Sequence, residues 1–446
     1  MNFLEEIKNK RVHVIGFAGQ EGRAVLEFLL EQKIKNLFGH EDTPQEKFRE
    51  RFLNYSDAYT PKESEKLLEK ILSSSAKLYF QDQYLKNIQD GDLVIVPQSY
   101  RRYPKNQILL DRFQKGEIIL KQAIELVFEI SPCPIIGITG TVGKSTVAAA
   151  IAHILKRAGK KIYFSGNDRE DKWNLLALSK LTKKDWVVLE ISNRHLIDLK
   201  MSPHIAVLTN IYPHHLDDHG SFQEYLADKK KIFSFQKKDD FLIADSEIFK
   251  KGLVKESQVP GTLRKVTASG REGNRLSVIL ACQAAGVSAD SINEGLASFK
   301  GLCFRQEFIG SYADRKVYND GKATDPIATI EAVLTIPKIG ILLLGGIREG
   351  YQKGDFSDLA KTIKEKEVGR IIIFGKNGPE IFEELAGEIK KEKLFQTGTL
   401  PEAVKKTYSL SKPGETIVFS PSCQSFDEFA DYRQRAKKFE ELIKLW

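Results

Sequence analysis

The chain has 446 residues, 41% hydrophobic and 29% charged, with a net charge of +8 from 68 basic and 60 acidic residues. That is too long for one typical core, and a prior of roughly 150 residues per domain gives three. No apolar run is long enough to cross a bilayer, and Met-Asn-Phe-Leu-Glu-Glu lacks a signal peptide's basic region and apolar stretch, so a cytoplasmic protein with no membrane partner is expected. Lys229 to Lys231 and Lys390 to Lys393 read as solvated faces without an aromatic platform, so no nucleic acid is expected either, while the basic excess suits small anionic substrates. Cys133, Cys282, Cys303 and Cys423 are scattered with no Cys-x-x-Cys pair, which predicts buried free thiols rather than disulfides or zinc.

In chain order, Val12 to Ile15 is a short apolar strand, followed by Gly16-Phe-Ala-Gly19-Gln-Glu-Gly22 and a helical pattern through Ala24, Leu26, Phe28 and Leu29. The glycine spacing is not the dinucleotide fingerprint; it suits a phosphate cradle and a tight Rossmann-type turn about equally. Residues 41–90 are charged and read as mostly helical. Asp92-Leu-Val-Ile-Val-Pro97 is a buried strand, and Arg101-Arg102 lies just past the end at which open α/β sheets bind ligands; the pair reads as a diphosphate grip or as a solvated surface pair. Ser131-Pro-Cys-Pro134 reads as a linker.

Gly137-Ile-Thr-Gly-Thr-Val-Gly-Lys-Ser-Thr146 then runs from an apolar strand into a helix over Val147 to Arg157 that Gly159 closes. Backbone N–H groups and a helix N-terminus converge there, so Gly140, Thr141, Val142, Gly143, Lys144, Ser145 and Thr146 form a phosphate loop. Lys144 can reach the terminal phosphates and the Ser145 hydroxyl can ligate Mg²⁺. One departure from the ordinary P-loop is Ile138 in place of glycine.

Strands over Lys161 to Phe164, Trp186 to Glu190 and Ile205 to Asn210 alternate with helices, which predicts a mostly parallel sheet. Glu190 ends its strand near the phosphate loop, where a nucleotide-bound Mg²⁺ needs a carboxylate. Tyr212-Pro-His214-His215-Leu-Asp217-Asp218-His219-Gly packs three imidazoles and two carboxylates into six residues, with no standard zinc spacing. A strand at Phe241 to Ala244 and a helical pattern from Asn274 precede a boundary near Phe299 to Leu302. The last third repeats the alternation at Val317-Tyr-Asn-Asp, Ile341 to Leu344, Arg370 to Phe374 and Thr416 to Phe419. Its strand ends converge on one ligand edge, and since all eight histidines lie at or before His219, it does without histidine for acid–base work.

These motifs resemble the Mur ligase family, ATP-dependent amide ligases of cell-wall precursor synthesis. The family's Gly-x-Thr-Gly-Thr-x-Gly-Lys-Ser-Thr is matched at Gly137 to Thr146, with Val142 for the usual Asn. Its Asn-x-x-x-Asp-His-Leu-Asp-x-His-Gly is matched from Asn210 to Gly220, with His214 for Asp, and its Tyr-x-x-x-Lys helix at Tyr225 to Lys229. The resemblance implies an α/β protein of three domains: a Rossmann-like UDP-substrate domain over 1–130, a P-loop-type ATP domain with a mostly parallel sheet over 131–300, and a Rossmann-like amino-acid domain over 301–446 that closes over the ATP site. It implies Ser145, Glu190, His215 and a carbamylated Lys229 as Mg²⁺ ligands, with Lys144, His215, Lys229 and Lys322 as the catalytic set. Asn274, Arg305 in Phe304-Arg305-Gln-Glu307, and Asp320 in Tyr318-Asn319-Asp320-Gly-Lys322-Ala-Thr324 would contact ATP.

Ser420-Pro-Ser-Cys423-Gln-Ser425-Phe-Asp-Glu-Phe429 resembles the branch that adds D-glutamate to UDP-linked muramoyl-alanine. For that branch Gly16, Gly19 and Asn167 would hold the UDP-linked substrate, and Thr324, Arg348, Ser425 and Tyr432 the amino acid. The family's Leu-Gly-Gly-x-Asp-Lys-Gly reads Leu344-Gly-Gly-Ile-Arg348-Glu349-Gly350 here: either Arg348 replaces the lysine from one position earlier, or Glu349 repels D-glutamate and selects another amine. The family's Ser-Pro-Gly is Val96-Pro97-Gln98. A monomer is expected; the alternatives are a related folate-type ligase and an inactive nucleotide-binding homologue.

Overall fold

The computed structural model describes residues 3–54, 59–166, 172–212 and 221–446. The chain divides into two compact units, Met1–Phe299 and Lys300–Trp446. The first holds two sheets. β1 (Arg11–Ile15), β2 (Asn36–Glu41), β3 (Lys77–Phe80), β4 (Leu93–Val96) and β5 (Ile119–Gln122) lie in the order β3-β2-β1-β4-β5, all parallel. β6 (Ile135–Thr139), β7 (Ile162–Ser165), β8 (Trp186–Glu190), β9 (Ile205–Leu208), β10 (Phe241–Asp245) and β11 (Thr262–Val266) form the second, also all parallel, in the order β11-β10-β9-β6-β8-β7.

The second unit is built on β12 (Glu307–Tyr312), β13 (Arg315–Asn319), β14 (Ile339–Gly345), β15 (Arg370–Phe374), β16 (Leu394–Gln396) and β17 (Thr416–Ser422), ordered β12-β13-β17-β14-β15-β16. Only the edge strand β12 runs antiparallel in it.

Strands covered by helices on both faces lose the polar alternation of a half-exposed strand and read as continuous apolar runs. β4 (Leu-Val-Ile-Val) and β9 (Ile-Ala-Val-Leu) are buried at every position. β5, β11, β12 and β16 sit at or beside sheet edges, carry exposed or half-exposed positions and give no such run. The stretch 41–90, read as mostly helical, does hold helices Gln45–Asn54 and Pro61–Leu72, but Lys77–Phe80 pairs with β2 as a strand. Among the cysteines, Cys133, Cys282 and Cys423 are buried free thiols, and Cys303 is exposed, correcting the expectation of four buried thiols.

In the first unit the strand order reverses beside β1 and beside β6, so crevices open past the carboxyl ends of exactly the strands that carry the glycine loops; ligands of open α/β sheets bind at such points. In the second unit one side chain ties the strand-end loops together. Arg435, from helix Tyr432–Ile443, is 1% exposed and donates to the carbonyls of Cys423 (2.8 Å), Gln424 (2.9 Å), Gly321 (3.3 Å) and Gly345 (3.4 Å). Burial pulls its pKa down to about 10, still well above neutral pH, so it stays charged and must keep its acceptors. Arg435→Met is expected to destabilise the second unit by about 3 kcal/mol, because an apolar side chain leaves those carbonyls without their donor. A urea unfolding midpoint equal to that of the wild type would refute this role.

Candidate active site

The phosphate loop begins where β6 ends. Gly140 and Gly143 take φ of +148° and +84°, and helix Lys144–Arg157 starts at once. A neighbouring strand end holds the loop in shape: Asn210 Oδ1 accepts from the amides of Thr141 (3.2 Å) and Val142 (2.9 Å), while Asn210 Nδ2 and Thr209 Oγ1 donate to the Val142 carbonyl at 3.1 and 2.7 Å. A Cβ on Gly143 would come 2.5 Å from Asn274 Oδ1, so glycine is what lets the Asn274 amide lie against the loop. Lys144 Nζ folds back to donate to the Thr141 carbonyl at 2.8 Å.

Beneath the loop lies Lys229, 1% exposed, its Nζ donating to Thr139 Oγ1 at 2.9 Å and to the Gly140 carbonyl at 3.1 Å. Burial pushes its pKa well below the ordinary lysine value, and the Lys144 charge adds to this; Glu190 and Asp228 oppose it. Burial thus favours the uncharged amine over the ammonium at this position. Glu190 ends β8 opposite Ile138 of β6 and is itself buried. Ser145 and Glu190 are hard oxygen donors of the kind Mg²⁺ takes, whereas Lys229 as an amine is not such a donor and becomes one only as a carbamate. His214, His215 and the remainder of 213–220 lie outside the described residues, as does Asn167.

The first sheet offers a cleft of about 280 Å³ at Gly16, Gly19, Asp42, Gln98, Tyr100 and Arg194. Its loop amides are already taken by carboxylates, Ala18 N by Glu41 Oε2 and Gln98 N by Glu21 Oε2, each at 2.9 Å. Glu21 also meets His195 Nε2 at 3.2 Å, and the Ser192 hydroxyl donates to Gln98 Oε1 at 2.6 Å, which joins the two sheets of this unit. Arg101 forks onto Asp198 at 2.6 and 3.2 Å beside the Tyr100 hydroxyl. Neither a freely solvated side chain nor an uncommitted phosphate ligand describes it.

In the second unit the segment after β13 carries Asp320, buried, accepting from Ser420 Oγ (2.7 Å) and the Gln306 amide (3.0 Å). The Lys322 amide donates to the Phe304 carbonyl at 3.1 Å, which draws the half-buried Arg305 segment to the same edge. Lys322 Nζ sits 5.2 Å over the Tyr432 ring, and the Thr324 amide donates to the Lys322 carbonyl at 2.9 Å. Ser425 is buried, its carbonyl accepting from the amides of Glu428 and Phe429. Arg348 follows β14 and meets Asp325 and Asp355, while Glu349 is exposed.

Residues 138–296, which contain the phosphate loop, Glu190, Lys229 and Asn274, match the family model described as the Mur ligase middle domain. The chain carries a Mur ligase middle domain. Over nearly its full length it is similar to UDP-N-acetylmuramoylalanine--D-glutamate ligase of Thermoanaerobacter pseudethanolicus, at 29% identity over 98% of this chain and 99% of that protein. The protein of the same name from Clostridium kluyveri is 27% identical, with 99% and 98% covered. Among solved structures, UDP-N-acetylmuramate-alanine ligase MurC from Thermotoga maritima has a TM-score of 0.57 at 16% identity, covering 98% of this chain and 100% of its own. MurF ligase from Thermotoga maritima in complex with ADP scores 0.55 at 16% identity, with 81% and 96% covered. Those two likenesses establish a shared fold.

Within the Mur ligase domain the structure thus brings the sequence-predicted Gly140 to Thr146, Glu190, Lys229 and Asn274 to one strand edge. It adds three residues that sequence reasoning left without a role: Thr209 and Asn210, which shape the loop, and Tyr225, whose hydroxyl lies 3.0 Å from Thr141 Oγ1. Asn210 stands at a strand end beside the loop, a position that could have flagged it.

On the second unit, burial pushes the Asp320 carboxyl up to about 7, against the hydrogen bonds from Ser420 and Gln306. An unfolded aspartate ionises near 3.9. Between pH about 4 and about 7 the native state therefore keeps a proton that the unfolded state has lost, and stability falls as pH rises through that window. Asp320→Asn, which keeps the shape without the titration, is expected to flatten this slope in urea midpoints taken at pH 5 and pH 8; identical slopes in the two proteins would remove Asp320 as its source.

Proposed function

We propose that this chain, an ATP-dependent ligase of peptidoglycan synthesis, joins the amine of D-glutamate to the alanine carboxylate of UDP-N-acetylmuramoyl-L-alanine. The observation that carries this reading is the phosphate loop built over a buried lysine and a buried strand-end carboxylate, in a chain similar from end to end to ligases bearing that name. The carboxylate oxygen attacks the γ-phosphorus of ATP, breaking its bond to the β-γ bridging oxygen and giving ADP and an acyl phosphate. The amine then attacks the acyl carbon, and the tetrahedral intermediate expels inorganic phosphate as the amide forms and the nitrogen loses its protons.

Little covalent work falls to the protein in phosphoryl transfer, where positioning and charge stabilisation dominate. We assign Lys144 and the amides of Gly140 to Thr146 to the phosphates, Asn274, Arg305 and Asp320 to the nucleotide, and Lys322 to the transferring phosphoryl group. Gly16, Gly19 and Asn167 are assigned to the UDP-linked substrate, and Thr324, Arg348, Ser425 and Tyr432 to the amino acid. When bound, Mg²⁺ supplies positive charge against the phosphates; Ser145, Glu190, His215 and carbamylated Lys229 would hold it. Only an unprotonated amine adds to carbon dioxide, and the burial of Lys229 favours that form. The proposal includes domains at 1–130, 131–300 and 301–446 and a cytoplasmic monomer with no nucleic-acid or membrane partner. Among the described residues no helix is long and apolar enough to span a membrane.

Lys144→Ala is expected to reduce substrate-dependent phosphate release at least ~100-fold with the fold intact by circular dichroism. Release at the wild-type rate from the folded variant would sink the assignment. With UDP-N-acetylmuramoyl-L-alanine fixed, a panel of amino acids is expected to give release with D-glutamate; activity confined to a cationic amino acid would refute it. Labelled bicarbonate is expected to give a carbamate ¹³C signal in the wild type that Lys229→Arg loses, and its presence in both proteins would exclude Lys229 as the carrier.

A further inference from the structure

We propose that the cavity between β5 and the segment 197–200 is a second ligand site, separate from the phosphate loop and from the cleft at Gly16. Its ligand is a small amphipathic organic anion, a compact apolar body carrying one carboxylate or other oxyanion. The cavity measures about 370 Å³, the size of a site for a small organic molecule. Phe113, Leu120, Leu199 and Phe235 give it an apolar wall. Phe235, just past helix Phe222–Ser234, stays 46% exposed, and Ile119 on β5 is exposed as well. Large apolar side chains left open in a concave, polar-rimmed surface mark a place where a ligand gains by burying them. Tyr100 lines both this cavity and the cleft at Gly16, so one ring forms a wall common to the two.

The charges around the cavity pair off until two groups are left. Asp198 is taken by Arg101 and by the Tyr100 hydroxyl, which donates to it at 2.7 Å. Lys121 meets Glu129, and Lys231 meets Asp228 at 2.7 Å. Lys200 is exposed and has no ion-pair or hydrogen-bond partner among the described residues. Glu125, on helix Ala123–Ile130, is only 8% exposed. Its Oε2 accepts the Gln122 amide at 2.7 Å, while Oε1 has no partner among the described residues. One cation at the open wall and one buried carboxyl oxygen therefore remain for a ligand to meet.

The state of that carboxyl decides the sign of the ligand. Burial pushes Glu125 up to about 7; the Gln122 amide bond and the Lys121 charge oppose this, and Glu129 and Asp198 add to it. A protonated carboxyl donates to an anion's oxygen, whereas an ionised one repels it. A cationic ligand would gain only the ionised form and would face Lys121, Lys200 and Lys231 around the same wall. An anion instead takes the Lys200 ammonium and the Glu125 proton, with its apolar body against Phe113, Leu120, Leu199 and Phe235. Binding keeps a proton on Glu125, so affinity falls as pH rises through about 7. Burial holds the Tyr100 hydroxyl above its ordinary value, so it does not titrate in this range.

The probe is anilinonaphthalene sulfonate, an aromatic body with a single sulfonate, titrated by its fluorescence into the full chain at pH 6 and pH 8. Saturable binding is expected, about tenfold weaker at pH 8 than at pH 6. Lys200→Glu and Phe235→Asp, both at exposed positions, are each expected to weaken binding about tenfold at pH 6 with the melting temperature unchanged. Glu125→Gln keeps an acceptor for the Gln122 amide and is expected to bind at pH 8 as tightly as the wild type does at pH 6. Saturating ATP and UDP-N-acetylmuramoyl-L-alanine are expected to leave the dye in place. Affinity unmoved by Lys200→Glu and Phe235→Asp overturns the inference, as does the full pH response persisting in Glu125→Gln. Displacement of the dye by either nucleotide, or no saturable binding to the wild type, overturns it too.

Discussion

A parallel strand that stops leaves its last carbonyls and the amides of the following loop without ladder partners, and a folded chain must satisfy them some other way. Each of the three sheets meets this constraint past its carboxyl strand ends with side chains brought from elsewhere. In the first, Glu41 and Glu21 accept the amides of Ala18 and Gln98. In the second, Asn210 takes the amides of Thr141 and Val142 and gives its own N–H to the Val142 carbonyl. In the third, Arg435 serves four carbonyls. The sign of the supporting group follows from the backbone groups that need a partner: acids and an amide where loops present N–H groups, a guanidinium where they present carbonyls.

The same rule decides the fate of the deeply buried titratable groups. Arg435 has four acceptors and a guanidinium that does not give up its proton, so it remains a cation inside the protein. Lys229 has two neutral acceptors and the Lys144 charge nearby, so burial drives its pKa well below the ordinary lysine value. Asp320 accepts two hydrogen bonds that favour its charged form, and burial still outweighs them. Arg435 holds loops together and has no reason to react. Lys229 reaches the end of β6 from helix Phe222–Ser234 and Asp320 follows β13, and burial shifts both away from their ordinary values toward the uncharged form; perturbed groups of this kind gather at functional sites.

Legibility in the sequence tracked how local the cause was. The phosphate loop was legible because glycine, lysine and serine spacing fixes it within ten residues, and Glu190 because a carboxylate ending an apolar strand lies at the sheet edge whatever its neighbours. β3, β5, β11, β12 and β16 were not, since partly exposed strands lack a continuous apolar run. β2 is buried almost throughout, yet Gly39, His40 and Glu41 break its apolar pattern. Arg435 was invisible for a different reason: in Tyr-Arg-Gln-Arg-Ala-Lys-Lys it looks like one more solvated cation on a basic helix, and only the packing of that helix over three loops makes it internal. Arg101 had a partner, Asp198, 97 positions away, and no local spacing predicts such a pairing.

The loop after β14 shows how side chains can change on a fixed main chain. Gly346 takes φ of +126°, and a Cβ there would fall 2.2 Å from the Gln424 carbonyl, so the backbone course is dictated by that close approach and by Arg435 behind it. Ile347 then pairs with Gln424, and the Arg348 amide is held by Asn377. With the main chain pinned at each of these points, exchanging the side chains at 348 and 349 changes which functional group faces the edge without moving the edge itself. An arginine at the half-buried position can be braced, as Asp325 and Asp355 brace Arg348. A side chain braced in this way has less rotamer freedom left to lose than an unbraced one, and that saving does not depend on the loop's net charge.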